Sequence, residues 1–562
     1  MLCPLLATAS WAQLPPPPSS PAPVVKLEYD AQGNPTRLVQ APGVTGMGFS
    51  TASSYDSLDR RKDSIDARSK TTNFEYNGRQ DLIKVTDPRR LVTSYPRDGL
   101  GNVNPLSSPD TGAATLTYDA AGNLKTRTDS RGVLATYSYD GLNRLTSIVF
   151  TKSGSPSHTV TWTYDQEGAG FSFGVGRLTS TAYPGGGSTY GYDAQGRMTT
   201  HVQRPAGTRG LSGVVHTTGY EYDAAGHVRK IIYPSGRALN IAYAGGLPSS
   251  LALGESASAS GQTLISAIQF EPFGAARSWL WQLGSGTQLH ERSFDTYGRL
   301  VRYRLGAVVR DLRYDAADRI VSYTHLDAGT GAAVSVMDQD FSYDELGRLL
   351  SANANGAAWA FTYDDNGNRS THTVNGQTRS YTTGNTSNWL LSLDNPFRQL
   401  VHDSAGNRTA DTEAYNTATH DLTGRLASVL RSGVTTLYTL DASGMRVRKD
   451  SNSRTGERLI FVYDQGGHLL GEYAYTGAPV REYIWLGDTP VAMFTPGAQA
   501  NSPPLVYYIH ADHLDAPRPG AGPSGTAALA LAGRALRVDT GRRESSRAWD
   551  IHPAAAAART VL

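Results

Sequence analysis

Cysteine is almost missing from this chain. Cys3 stands alone among 562 residues, which excludes an intrachain disulfide framework and any CxxC zinc or redox site. An excess of charge is missing too. Lys and Arg number 52 against 50 Asp and Glu, and no block of five like charges occurs, so there is neither a nucleic-acid-binding footprint nor an acidic tail. No stretch approaches the ~18 uncharged apolar residues of a membrane helix, so no helical span is expected. Helix signals are nearly absent before residue 519. No GxSxG elbow, P-loop, HExxH or dinucleotide fingerprint is visible, and the chain is therefore expected to be no enzyme and to carry no cofactor and no metal. What remains is ample: hydrophobic residues make up 39% and charged residues 18%, enough apolar surface for a core and too little charge for a disordered polyelectrolyte.

The first 13 residues, ending Ser10-Trp11-Ala12-Gln13, have an apolar run and a small-x-small site but no basic start. Two readings stay open: a clipped signal peptide, which puts the protein in the envelope or outside the cell, or an unstructured N-terminus, cytoplasmic if the start is truncated. Residues 14–23 (LPPPPSSPAP) form a stiff spacer, because successive prolines fix φ and remove donors. The folded part is expected from Val24.

Gly 59 and Tyr 30 point to an internal repeat, and one is present. An aromatic residue and Asp are followed by two variable residues, then Gly or Asn, a polar residue and an apolar one. Clear copies are Tyr118-Asp119 with Gly122, Tyr139-Asp140 with Asn143, Tyr192-Asp193 with Gly196 and Tyr222-Asp223 with Gly226. Phe294-Asp295, Tyr314-Asp315, Tyr343-Asp344 with Gly347, Tyr363-Asp364 with Gly367 and Tyr463-Asp464 with Gly467 follow. Weaker copies begin at Tyr29, Tyr55, Tyr76, Tyr164, His402, His420 and Leu440. Neighbouring copies lie about 20 to 30 residues apart, the length of two strands and two turns.

The chemistry of the string explains its residues. Apolar and polar positions alternate ahead of each Asp, as in Tyr137-Ser-Tyr139 and Phe361-Thr-Tyr363, the period of a half-buried strand with Tyr facing inward. The Asp carboxylate can accept from a backbone N–H two residues on and start a turn. Gly, Asn or Asp four residues after the aromatic supplies the positive φ that closes a hairpin with a bulge. One hairpin cannot bury its apolar face alone, so successive hairpins must join into one long sheet.

These residues resemble the RHS/YD-repeat family, over roughly Val24 to Arg518. The likeness is strongest where Asp403-Ser-Ala-Gly-Asn-Arg-Thr409, Glu482-Tyr-Ile-Trp485-Leu486-Gly487-Asp488-Thr-Pro490 and Tyr507-Tyr-Ile-His510-Ala-Asp-His513-Leu514 are similar to the RHS-associated core. The resemblance implies an all-β array of stacked hairpins, a long spiralling sheet or partial hollow shell. It implies a structural role, with a C-terminal toxin as cargo in full-length relatives, or alternatively a cell-surface adhesion or carbohydrate-binding role toward a glycan or protein. The expected organisation is a repeat array over 24–387, a core-like region over 388–518 and an Ala/Arg-rich tail over 519–562.

Several features were weighed for chemistry. His510 and His513 could share a metal, but positions i and i+3 of a strand face opposite ways, and a structural role is expected. Asp515-Ala516 replaces the Gly then Ser or Thr usual in the family, which leaves that loop's geometry open. Repeated Tyr-Asp pairs could stack sugars, yet alternation favours packing. From 519 onward the repeat grammar stops and six arginines face three carboxylates. This matches a frameshifted or truncated shell fragment without self-cleavage motif or effector, or a flexible tail. If a closing block is missing, the strand near Tyr507 to His510 is expected to stay unpaired and to promote self-association. Between Tyr243 and Phe294 the string is not found, and a degenerate repeat is expected there.

Overall fold

The computed structural model describes residues 14–206, 214–283, 286–453, 458–497 and 502–521. They form 44 β-strands, with one three-residue 3-10 turn at Ser335–Met337 and no other helix among the described residues. Consecutive strands pair antiparallel at every step but the one from Arg408–Asp411 to Thr417–His420, so the chain is a meander of hairpins with one break. The first 34 strands make one open sheet and the last ten a second. Between Arg408–Asp411 and Thr417–His420 only an isolated bridge from Asp411 to Tyr415 is formed.

Register slips by one residue at nearly every motif tyrosine, between Ser138 and Tyr139, Glu221 and Tyr222, Ser342 and Tyr343, Thr362 and Tyr363, and Val462 and Tyr463. A bulge bends its strand and adds right-handed twist. Repeated on one side of every hairpin, it bends the whole ribbon into a coil.

The coil returns on itself. Ser20 meets Tyr314, Arg89 meets Asn388, Ser130 meets Ser404, Tyr233 meets Tyr483, and Gln282 meets Tyr508. The separation along the chain is 294 residues at Ser20 and 299 at Arg89, then falls to 274, 250 and finally 226 at Gln282, so the spiral tightens toward its C-terminal end.

Burial follows the tightening. The strands Phe49–Tyr55, Arg61–Ile65, Thr71–Tyr76 and Leu82–Thr86 contain no buried residue; here the ribbon is one layer with water on both faces. By contrast, Thr489–Thr495 is buried at six successive positions and is therefore covered on both faces. The main core joins Leu239, Leu251, Ile265, Trp279 and Trp281 of the first coil to Leu470, Ile484, Val491 and Phe494 of the second.

Expectations change at the two ends of the array, and between them the interval from Tyr243 to Phe294 is a degenerate repeat, as expected. The strand Leu505–Ala511 is not unpaired, because Pro517–Ala521 adds to it with Ala511 opposite Pro517. The array thereby runs past residue 518, and the rest of the expected tail lies outside the described residues. The interval from Tyr243 to Phe294 is ordinary meander, and its turn at Phe270-Glu271-Pro272-Phe273-Gly274 follows the repeat with Glu in place of Asp: Glu271 N–H donates to Ala275 and Gly274 N–H to Glu271. The Pro-rich spacer is also anchored, since Tyr314 N–H donates to Ser20 Oγ and Arg299 to Pro21 O.

Candidate functional site

Each Tyr-Asp turn is one closed unit. In the turn that begins at Tyr343, Asp344 Oδ1 accepts from the N–H groups of Leu346 and Arg348, both at 2.9 Å. Asp344 Oδ2 accepts from Arg348 Nε at 2.6 Å. Gly347 takes φ +75°, the left-handed conformation that glycine adopts without a Cβ penalty. The same pattern recurs at Asp140 and Asp193, and also at Asp119, Asp223, Asp364 and Asp464, where Asn123, His227, Asn368 and His468 take the place of arginine. Gly122, Gly196, Gly226, Gly367 and Gly467 occupy the left-handed slot, as do Asn143 and Asp318. Hydrogen bonds to the ionised carboxylate hold several of these aspartates below the usual carboxylate range, Asp56 down to about 2 with the Arg60 side chain as first cause.

Neighbouring units are interlocked by two contacts that the repeat string did not disclose. The motif tyrosine reaches back and donates its hydroxyl to a carbonyl of the preceding hairpin. Tyr139 donates to Leu124, Tyr222 to Met198, Tyr343 to Ile320, Tyr363 to Leu349 and Tyr463 to Arg446, over 2.6–3.0 Å; Tyr118 and Tyr192 do likewise to Val103 and Leu178. The turn arginine reaches forward over the next ring, Arg144 over Tyr164, Arg197 over Tyr222, Arg319 over Tyr343 and Arg348 over Tyr363, at 4.4–5.1 Å. These motif tyrosines are half-buried; the deeper position is two residues earlier, where Tyr220, Phe361 and Phe461 are buried. A hydroxyl already donated and a ring face already covered leave these tyrosines poorly placed to stack a sugar.

The hairpin ends on the other side of the ribbon follow a second grammar. Asp66-Ala-Arg68, Asp87-Pro-Arg89 and Asp129-Ser-Arg131 also cap turns with Asp, and the arginine two residues on points out of the turn toward the next coil. Arg68 meets Asp344 at 3.8 Å, Arg89 meets Asp364 at 3.3 Å, and Arg131 donates to the carbonyls of Asp421 and Leu422 at 3.0 and 2.9 Å. Between them, Asp110 accepts from Asn388 N–H and Nδ2. The Asp-x-Arg ends of the first coil thus dock on the Tyr-Asp ends of the second. The sequence carried this signal as a repeated Asp-x-Arg, overshadowed by the more frequent Tyr-Asp.

The core-like motif is structural in the same way. Trp485 stacks on His468 and donates Nε1 to Leu469 O; Leu486 is buried; Gly487 and Asp488 form the two-residue turn of a hairpin in which Trp485 faces buried Pro490. Asp488 is exposed and contacts His468 Nε2 at 2.9 Å. His510 and His513 do not come together. His510 is buried against Trp281, whereas His513 bonds Tyr323, and exposed Leu514 tips the turn. Asp515 adopts φ +54° in the left-handed slot, and Asp512 Oδ1 accepts from Leu514 and Ala516, so the Asp515-Ala516 departure keeps the turn. Among the described residues no three His, Cys, Asp or Glu side chains are placed to share a metal ion, and no helix is long and apolar enough to cross a membrane. A cavity of about 260 Å³ opens between the coils beside Tyr220, Tyr233, His468 and Trp485.

Comparison with known proteins agrees with this geometry. The RHS Repeat family model matches residues 118–155, 174–209 and 343–379. The crystal structure of TcdB2-TccC3-Cdc42 superposes with TM-score 0.67 at 14% identity, over 89% of this chain and 32% of that chain. TcdB2-TccC3 without its hypervariable C-terminal region and the Photorhabdus luminescens Tc holotoxin pore each give TM-score 0.66 at 14% identity, over 89% of this chain and 31% of theirs. This chain spans about a third of the length of those it matches. No curated protein matches its sequence.

Proposed function

This chain is an RHS-repeat protein, and on that premise we propose that it is a structural wall: a two-coil part of a hollow, toxin-type shell that encloses a polypeptide cargo outside the cytoplasm. The observation that carries this reading is the end-to-end docking of the coils, repeated at Arg68, Arg89, Arg131 and Tyr233. A ribbon one layer thick, coiled and sealed along its edge, makes a surface and leaves a lumen.

The two rims differ. The rim of the first coil away from the seam, its upper rim, presents Tyr-Asp turns at Asp56, Asp140 and Asp193, of the kind that receive arginines in the seam, and among the described residues no arginine of another coil meets them. The lower rim of the second coil ends in Asn355-Gly356 and Asn375-Gly376 turns, which lack that arginine. A wall of this chemistry extends on the upper side.

Small-angle scattering of the full chain tests the reading. A hollow particle gives a pair-distance distribution weighted to long vectors; that of a filled globule of the same mass would refute it. Binding on a glycan array would favour the adhesion alternative.

A further inference from the structure

Three histidines lie buried in the seam between the coils, and among the described residues none is paired with a carboxylate. His290, on Gly286–Phe294, is fully buried; its ring stacks on Trp279 at 4.2 Å and sits 4.9 Å from Trp281. His510, on Leu505–Ala511 of the second coil, lies 4.6 Å from Trp281 and 5.8 Å from His290, ring centre to ring centre. His216, on His216–Tyr222, packs 4.7 Å from Tyr473 of the second coil. Neither nitrogen of His216 or His290 has a hydrogen-bond partner. A buried polar group without a partner is costly when neutral and more so when charged.

The charged groups around them are mostly of the wrong sign to stabilise an imidazolium. Arg292 on the same strand and Arg304 on Leu300–Leu305 both act on His290, and Arg304 acts on His510. Arg292 is itself engaged by Asp515 at 3.5 Å. Across from His216, Tyr473 donates its hydroxyl to buried Glu482 at 2.5 Å.

We propose that this seam is an acid-released latch: mild acid charges His216, His290 and His510 and parts the C-terminal strands of the second coil from the first, while the individual hairpins persist. Burial, the first cause in each case, pushes His216 and His510 down to about 4 and His290 well below its ordinary value, with Arg292 adding to the last. The sign follows. An open seam takes up protons below pH ~6.5 that the closed seam refuses until about pH 4, so closure weakens as pH falls through that window. At pH 5 each such imidazole favours opening by about 30-fold. Glu482 opposes this, since burial raises it and its protonation relieves the closed state. One carboxyl stands against three imidazoles. The turn aspartates Asp140 and Asp193, held below the usual carboxylate range by hydrogen bonds, and Asp56, at about 2, stay ionised in this window.

The test follows the full chain from pH 7.5 to 4 by tryptophan emission, hydrodynamic radius and far-ultraviolet dichroism. Expected are a red shift from Trp279 and Trp281 and a larger radius, with a midpoint between pH 4 and 6.5 and the strand signal retained. The double variant H290F/H510F, which keeps aromatic rings but cannot charge, should move the midpoint down by at least half a pH unit, and H227Q in a half-exposed turn should leave it in place. Strand signal lost together with expansion, no expansion above pH 4, or an unmoved midpoint in the folded double variant would each overturn the proposal. If the double variant fails to fold, H216F decides in the same way.

Discussion

Asn366 Nδ2 donates to Asp87 Oδ2 at 2.6 Å across 279 residues of chain, and Asn366 Oδ1 accepts from Arg89 N–H at 3.2 Å. One amide thus ties the rim of the first coil to the rim of the second, using its NH2 as donor and its carbonyl oxygen as acceptor.

Asn366→Asp keeps the shape of this side chain but removes the donor and sets a second carboxylate against Asp87. A loss of about 1–3 kcal/mol in seam stability is expected. Hydrogen exchange should quicken in 87–91 and 384–389 while hairpins remote from the seam stay unchanged.

Asp344→Ala removes the acceptor of two backbone N–H groups and the partner of Arg348 at a buried turn. It should cost about 1–3 kcal/mol, read as proteolytic cleavage in 343–349 at lower denaturant. Asp488→Ala, at an exposed turn, should change stability by less than about 0.5 kcal/mol.

Two glycines of equal φ separate backbone strain from close approach. Gly347 (φ +75°) has only Arg319 Cδ, 3.8 Å from an added Cβ, and Gly347→Ala should cost about 1 kcal/mol from its φ. At Gly406 (φ +80°) the added Cβ meets Asp110 O at 2.5 Å and Trp389 Nε1 at 2.9 Å, atoms of the other coil and of the seam. Gly406→Ala should lower the melting temperature more and accelerate exchange at Trp389.

Burial raises Tyr314 and Tyr343 to about 12, each within the ladder. The neutral phenol is the form the fold prefers, so its stabilisation is complete below pH ~10 and is lost as pH rises toward 12. Phenolate absorbance should therefore rise in two steps, exposed tyrosines first and ladder tyrosines together with loss of strand signal. Tyr343→Phe, which strips the hydroxyl from Ile320 O, should cost about 1 kcal/mol at neutral pH and make the alkaline decline shallower, because this position no longer ionises.

Much of the ladder was legible from residues alone. Asp119 reaches Ala121 and Asn123, two and four residues on, so a five-residue window contains all its partners. Glu271 escaped because the string was read as requiring Asp, although a carboxylate one methylene longer heads a turn with the same backbone bonds. The Asp-x-Arg ends escaped for another reason. Arg89 and Arg131 look like ordinary turn cations until a second coil is laid against them, 295 and 290 residues later.

The sequence by itself determined the hairpins, their bulges and the order in which strands pair, because a carboxylate, a positive φ and an alternating apolar row act within a few residues of each other. Only the tertiary structure decided that Arg131 meets Asp421, that His290 meets His510, and that the coil tightens from 294 to 226 residues per turn. Those pairings depend on twist summed over a dozen or more hairpins, where a few degrees at each strand shift the partner by a whole unit.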